Sequence, residues 1–401
     1  MLGFVQNWFG PRSSPIGIDF GTDCLRLAQV HWEENDWRLT AAASADVPSD
    51  IRSDSAARAA FFTQAIRDLL VSGKFRGRTA VLGLPAAAMF IQHMRFPKMD
   101  EADLKKSLPW EARGKLPIDP SHALLRHLIA GDVYVDQEPR QEIILLAAER
   151  QIVDDLLAAA KKARLDVAGM NIEPLALLDC FTQVYRRAAD SGTTYFFVDI
   201  GAVGSRAILS RGRQVLFARA IEIGGDHFTS AVADALKISN DDARSLRFRL
   251  CTAAEAQAAS ERTMIAPGAP EVDTQRVQVE QAVAPLVSKL VGELELCRRY
   301  YDATFPGKPV DRLVFVGGES RQRGLCQEIA KGLGLPAQVG DPLCRMSKRC
   351  DVGLESGIDR RLPQPAWAVA IGLSMGPPKA HATAAAGTET RSTNGSANGR
   401  A

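Results

Sequence analysis

The sequence predicts an α/β protein of two duplicated lobes, with a small α+β lobe inserted into the first. Two stretches carry the duplication. PIGIDFGTDCLRLAQV (Pro15 to Val30) and FFVDIGAVGSRAIL (Phe196 to Leu209) share one layout: apolar strand, Asp, one apolar residue, Gly, small turn residues, second strand. Asp19 and Asp199 lie 180 residues apart. A chain of 401 residues, 46% of them hydrophobic, is long enough to bury more than one core.

The elements follow in order. The β-branched run Ile16/Ile18 and the alternation Leu25, Leu27, Val30 predict a hairpin. WRLTAAASADV adds a third strand. Phe61, Phe62, Ile66, Leu69 and Leu70 recur at helical spacing and stop at Gly73. TAVLGLP reads as a buried strand, which closes an α/β unit. From about 86 to 170 the pattern changes. AMFIQHMRFP is strand-like, and the acid-started helix MDEADLKKSLPWEARGKLP breaks toward Pro117. ALLRHLIAGDVYV and RQEIILLAAE form a strand pair, RQIVDDLLAAAKKARL an amphipathic helix, and DVAGMNI leads out of it. A helix begins near Glu173-Pro174, where Pro is tolerated in the first turn. Three strands follow over TTYFFVDIGAVGSRAILSRGRQVLFARAIEIGG, then two helices. The Ala-rich AAEAQAASERTMIAPGAP reads as a loop or insertion. A long helix from Val277 to Tyr301 carries Val283, Leu286, Leu290, Leu294, Cys297 and Tyr301 on one face. RLVFVGGES is a strand ending in glycines, followed by one helix and a last short one at PAWAVAIGLSM.

The expected organisation is a flexible leader at 1–14, a first lobe at 15–85 completed by 171–192 and 364–376, the inserted lobe at 86–170 and the second lobe at 193–363. The tail at 377–401, rich in Ala, Thr, Ser, Gly and Asn, is expected to be disordered. Lys and Arg number 49 against 47 Asp and Glu, so the charge gives no reason to expect nucleic acid. No apolar run approaches the roughly 20 residues of a membrane span. Seven scattered Cys, without a C-x-x-C pair, fit reduced thiols in a cytoplasm rather than a disulfide frame or zinc site.

An Asp-Gly cluster between two strands is an ordinary hairpin turn when seen once. Its repetition gives it a second meaning. Two turns facing each other across a cleft offer backbone N–H groups to a polyphosphate. Gly removes the side chain that would block approach, and the two Asp can hold Mg²⁺ through its waters. A third element, VGGES at Val316 to Ser320, would let backbone lie against a base or ribose. Neither a Gly-x-x-x-x-Gly-Lys-Ser/Thr loop nor a Gly-x-Gly-x-x-Gly turn after a strand is found.

These three ordered motifs resemble the actin-like ATPase superfamily, whose fold is a pair of RNase H-like lobes. WEARGKLPID, the run EIILLAAERQIVDDLLAAAKKARLDVAGMNIEPLALLD, ELELCRRYYDATFPGKPVDRLVFVGG and AWAVAIGLSM narrow the resemblance to the PilM family of type IV pilus assembly, with its competence protein A-like relatives. It covers about 15–376, and the place of the inserted lobe is similar to that in the division protein FtsA.

The resemblance implies ATP and Mg as ligands. Asp19, Gly21 and Thr22 would form the first phosphate loop, Asp199, Gly201 and Ala202 the second, and Gly317 and Gly318 the adenosine loop. Asp19 and Asp199 would hold Mg through water. Glu173 falls where the superfamily places the group that orients attacking water. Its ordinary alternative is a charge stabilised at a helix N-terminus. The chain departs from the family where Arg244 and Arg247 replace an acidic residue and a Lys, and where Glu319 replaces a third glycine. Arg244 cannot accept a hydrogen bond from a ribose hydroxyl, so a weak or vestigial nucleotide pocket is one consequence. Weak ATPase activity and homo-oligomerisation are left open.

The implied role is a cytoplasmic scaffold of the pilus inner-membrane complex, docking the N-terminal peptide of a PilN-like bitopic membrane protein beside the inserted lobe. Phe90, Met94, Leu125 and Leu128 are the apolar residues expected at that groove. The alternatives are a sugar or acetate kinase of the same superfamily and a type II secretion GspL-like component, which would continue into a membrane span.

Overall fold

A computed structural model describes residues 14–52, 54–187, 190, 192–261, 274–347 and 352–376, with the backbone alone at 252–261. The expected flexible leader, save Ser14, and the expected disordered tail lie outside the described residues.

Two five-stranded sheets carry the two lobes, and they have the same topology. In the first, β1 (Ile16–Phe20), β2 (Cys24–Glu33) and β3 (Asp36–Asp46) form an antiparallel meander. Helix α1 (Ser55–Ser72) crosses to β4 (Thr79–Leu84), which pairs parallel with β1. The spatial order is β3-β2-β1-β4-β8, with β8 (Asp166–Ile172) parallel to β4. In the second, β9 (Thr194–Ile200), β10 (Ser205–Arg211) and β11 (Gln214–Ile221) repeat the meander. β12 (Arg312–Val316) and β13 (Ala337–Val339) repeat the two parallel strands, giving β11-β10-β9-β12-β13. Ile16 and Ile18 are fully buried, as are Phe196 and Val198 at the corresponding place.

Local signals set the ends of α1. Asp54 Oδ1 accepts from the Ala56 and Ala57 amides at 2.9 and 3.0 Å, satisfying donors the first turn leaves unpaired. Gly73 follows the last residue.

The inserted sheet is three-stranded, in the order β5-β7-β6: β5 (Met89–Pro97), β6 (Ala123–Val135) and β7 (Glu138–Glu149). Helix α2 (Glu101–Glu111) covers one face through Leu104 and Leu108, packed on Met94, Phe96, Ile143 and Leu145. The other face, with Ile144, Leu146 and Ala148, joins the main core. Met94, expected at a docking groove, is 5% exposed inside the α2 core and is not open to a ligand. Phe90, Leu125 and Leu128 are half-buried.

Sheet membership corrects two readings. DVAGMNI is strand β8 of the first sheet rather than a lead-out. Helix α3 (Arg150–Lys162) packs against α1 and β8. The inserted sheet thus ends at Glu149, and the last part of the 86–170 segment belongs structurally with the first lobe. The Ala-rich segment was expected as a loop, yet α6 (Asn240–Glu261) continues through it to Glu261, since Ala, Glu and Gln favour helix. Its remainder, 262–270, lies outside the described residues.

Helix α4 (Glu173–Val184) follows β8 directly, and α5 (Gly225–Leu236) follows β11. The long α7 (Thr274–Thr304) buries Leu290, Leu294, Cys297 and Tyr301 against the second sheet. Helix α8 (Arg323–Leu333) sits between β12 and β13. The final helix α9 (Ala368–Ser374) returns to the first lobe, packed on α4 and β1. Ser374 Oγ donates to the Pro15 carbonyl at 2.6 Å and accepts from the Val30 amide at 2.9 Å, which fixes that return.

Candidate functional site

The matching topologies bring the two Asp-x-Gly turns to one cleft of about 370 Å³ between the lobes. Asp19, Gly21, Thr22, Glu173, Asp199, Gly201, Ala202, Gly317 and Gly318 all line it. Glu173 arrives because β8 runs straight into α4, so the first residue of that helix stands at the cleft floor.

The glycines are where backbone must come close. A Cβ on Gly21 would stand 2.5 Å from the Cys24 carbonyl oxygen, inside the turn itself. Gly317 has φ 88°, and a Cβ there would collide with Asp199 Oδ1. Gly318 differs: a Cβ there would meet nothing within 4 Å, so this backbone faces open space.

Three carboxylates and two guanidiniums meet at the hairpin end. Asp19 stands opposite Arg26 across β1–β2, and Asp199 opposite Arg206 across β9–β10. Burial, with the neighbouring Asp199 and Asp23 charges, pushes the Asp19 carboxyl up to about 6 against the pull of Arg26. Burial raises Glu173 well above the usual carboxylate range, against Arg206 and with Asp199 and Asp19 adding to it. Its Oε2 lies 3.5 Å from Arg206 Nε, while Glu173 Oε1 and Arg206 Nε are buried without a hydrogen bond. Among the described residues no three His, Cys, Asp or Glu side chains come together closely enough to hold a metal directly, so a divalent cation here would keep waters between itself and these carboxylates, as Mg²⁺ commonly does. The guanidiniums beside them suit phosphate oxygens.

The sequence reading passed over Arg26 and Arg206. The signal was present: each lies seven residues after its Asp, so the pair repeats the 180-residue offset.

At the other end, two of the three departures answer each other. Arg247 is 6% exposed and ion-paired with Glu319. It also donates to the Gly225 carbonyl at 3.0 Å and Thr229 Oγ1 at 2.9 Å. Arg244 reaches across the cleft to Asp23 at 3.3 Å, and Arg52 to Asp226 at 3.5 Å, and both ion pairs span the lobes.

The family model described as type IV pilus assembly protein PilM matches residues 17–250. The chain belongs to the PilM family. The match falls on the pilus reading rather than on the kinase or GspL-like alternatives. A model of the cell division protein FtsA matches residues 196–372. FtsA of Rhizobium meliloti (strain 1021) is 29% identical over 244 residues, 58% of this chain and 50% of its own. FtsA of Agrobacterium fabrum is 28% identical over 245 residues, at the same coverage. The chain thus spans about half the length of the curated relatives it matches. Among solved structures, the PilM-PilN type IV pilus biogenesis complex aligns with TM-score 0.71 at 22% identity, over 91% of this chain and 98% of that one. The ethanolamine utilization protein EutJ from Carboxydothermus hydrogenoformans aligns with TM-score 0.52 at 13% identity, over 91% and 90%. These likenesses show a shared fold, the actin-like α/β fold. Among the described residues, no helix of this PilM-family chain is long and apolar enough to cross a membrane.

Proposed function

We propose that this PilM-family chain is a nucleotide-holding scaffold of type IV pilus assembly, with Mg-ATP between its lobes. The observation that supports it most is that nine residues from four separate segments line one cleft. In this reading the turn amides at Gly21–Thr22 and Gly201–Ala202 cradle the phosphates. Arg26 and Arg206 face their charge, Asp19 and Asp199 hold hydrated Mg²⁺, and Gly317–Gly318 lies along the nucleoside. Glu173 stands where it would orient a water molecule, although a side chain held beside Arg206 fits slow turnover. Photo-crosslinking with 8-azido-ATP tests this placement. Adducts are expected within 317–321 or on α6, and adducts confined to the outer faces of the lobes would contradict it.

The chain's second role is to dock a partner at the cytoplasmic face of the inner membrane. The solved PilM-PilN complex supports a PilN-like protein as that partner. Edge strands β5 and β6 flank β7, and they carry the half-buried Phe90, Leu125 and Leu128. An extended peptide can add to such an edge through backbone bonds while its side chains enter apolar pockets. Fluorescence anisotropy with the first dozen or so residues of the bitopic partner checks this. Leu125→Glu should abolish binding, and an unchanged Kd in both Leu125→Glu and Phe90→Glu would move the docking site elsewhere.

A further inference from the structure

The α6 side of the cleft is built differently from the hairpin side. Glu319, the carboxylate next to Gly317–Gly318, lines the cleft with its charge paired to the buried Arg247. Two other guanidiniums line the cleft there, Arg244 and Arg321. Arg244 gives one hydrogen bond, to Asp23 at 3.3 Å, and its side chain is 32% exposed. Arg321 gives one, to Gln364 Oε1 at 3.2 Å. A guanidinium has five N–H donors, so both keep donors for a further acceptor. A side pocket of about 260 Å³ adjoins the cleft and shares Phe248, Gly318, Glu319, Arg321 and Gly357 with it. Phe248, which lines both, is 45% exposed.

A ribose diol donates hydrogen bonds and wants acceptors, whereas a guanidinium only donates. In dinucleotide sites a carboxylate binds the free ribose hydroxyl, whereas a nearby Arg accommodates a ribose phosphate. The same chemistry holds here. We infer that this cleft selects a nucleotide carrying a further phosphate on its ribose, bound by Arg244 and Arg321, with the base in the adjoining side pocket.

The inference rests on the nucleotide reading above, and its test separates the two. Calorimetric titration of the full chain compares AMP with adenosine 2′,5′-bisphosphate and adenosine 3′,5′-bisphosphate, with Mg-ATP as a separate arm. At least one bisphosphate should bind about tenfold more tightly than AMP, the scale of one hydrogen bond between charged groups. That advantage should vanish in Arg244→Gln and in Arg321→Gln, with AMP binding nearly unchanged. Among the described residues Arg321 makes no ion pair across the lobes, only its hydrogen bond to Gln364 Oε1, so its variant keeps the test sound if Arg244→Gln fails to fold. If Mg-ATP binds and neither bisphosphate exceeds AMP, the inference falls and the nucleotide reading stands. If Arg244→Gln weakens every ligand equally and Arg321→Gln weakens none, Arg244 only clasps the lobes and the inference falls. If nothing binds, Mg-ATP included, the nucleotide reading fails and takes the inference with it.

Discussion

At the scale of single residues, Arg206 decides how the second hairpin differs from a plain turn. It stands across the strand pair from Asp199 and 3.5 Å from Glu173, and the Arg206 and Glu173 side chains are each only 11% exposed. Removing it should weaken Mg-ATP binding by roughly tenfold or more, because a guanidinium–phosphate bond is charge-assisted and partly desolvated. Titration of Arg206→Ala measures this, and an unchanged Kd would mean that Arg206 serves Glu173 alone. Glu173 has its own test. Glu173→Gln should bind Mg-ATP as the parent does, yet turn it over roughly 10² to 10⁴-fold more slowly if the carboxylate positions water. Equal turnover would assign Glu173 to the start of α4, where its charge suits the helix N-terminus.

At the scale of elements, the two hairpins and their repeat were legible because Asp, Gly and β-branched residues act locally. β8 was not. DVAGMNI holds a glycine and lacks clean alternation, and it becomes a strand only because β4 offers a parallel edge. β13 is three residues long, too short for any periodicity to register. The extension of α6 was hidden by a loop-like ending, although its Ala-rich start had helical propensity. Arg26 and Arg206 were readable by spacing but drew no attention, since charge on a strand usually faces solvent.

The joint between α4 and α9 shows why α9 is needed by the first lobe. A Cβ on Gly372 would fall onto the Ala176 carbonyl oxygen, and one on Gly17 onto the Ala370 carbonyl oxygen. These helices and β1 touch through backbone. Gly372→Val should therefore cost about 1–3 kcal/mol, the usual penalty for overfilling a packed core. Chemical denaturation measures it, and an unchanged midpoint would mean the joint can open without loss.

At the scale of the whole molecule, the inserted lobe is pinned to the second lobe through one buried carboxylate. Glu142 on β7 is fully buried. It accepts from Tyr300 at 2.6 Å and Arg95 at 3.1 Å, and lies 3.0 Å from His93 Nδ1. His93 Nε2 in turn lies 3.1 Å from the Ala218 carbonyl on β11, and its ring stacks on Phe217. Burial alone would raise the Glu142 carboxyl, but hydrogen bonds from His93, Tyr300 and Arg95 hold it below its ordinary value. A carboxyl lowered on folding stabilises the fold above its unfolded pKa. That stability is lost as pH falls through the lower, folded value. Acid should thus loosen this joint from the ordinary carboxylate range downward. Glu142→Gln should cost about 3 kcal/mol at neutral pH, as breaking a buried pair does. It should also flatten this acid limb. Stability curves against pH, for parent and variant, check both, and parallel curves would contradict the assignment.

The central claim is that the paired hairpins hold a nucleotide between the lobes. Calorimetric titration of the full chain with Mg-ATP, beside Asp199→Ala, tests it most directly. The account predicts saturable one-site binding for the parent and a marked loss for the variant, with circular dichroism unchanged. Absence of binding at millimolar Mg-ATP, or equal affinity in the variant, would contradict it.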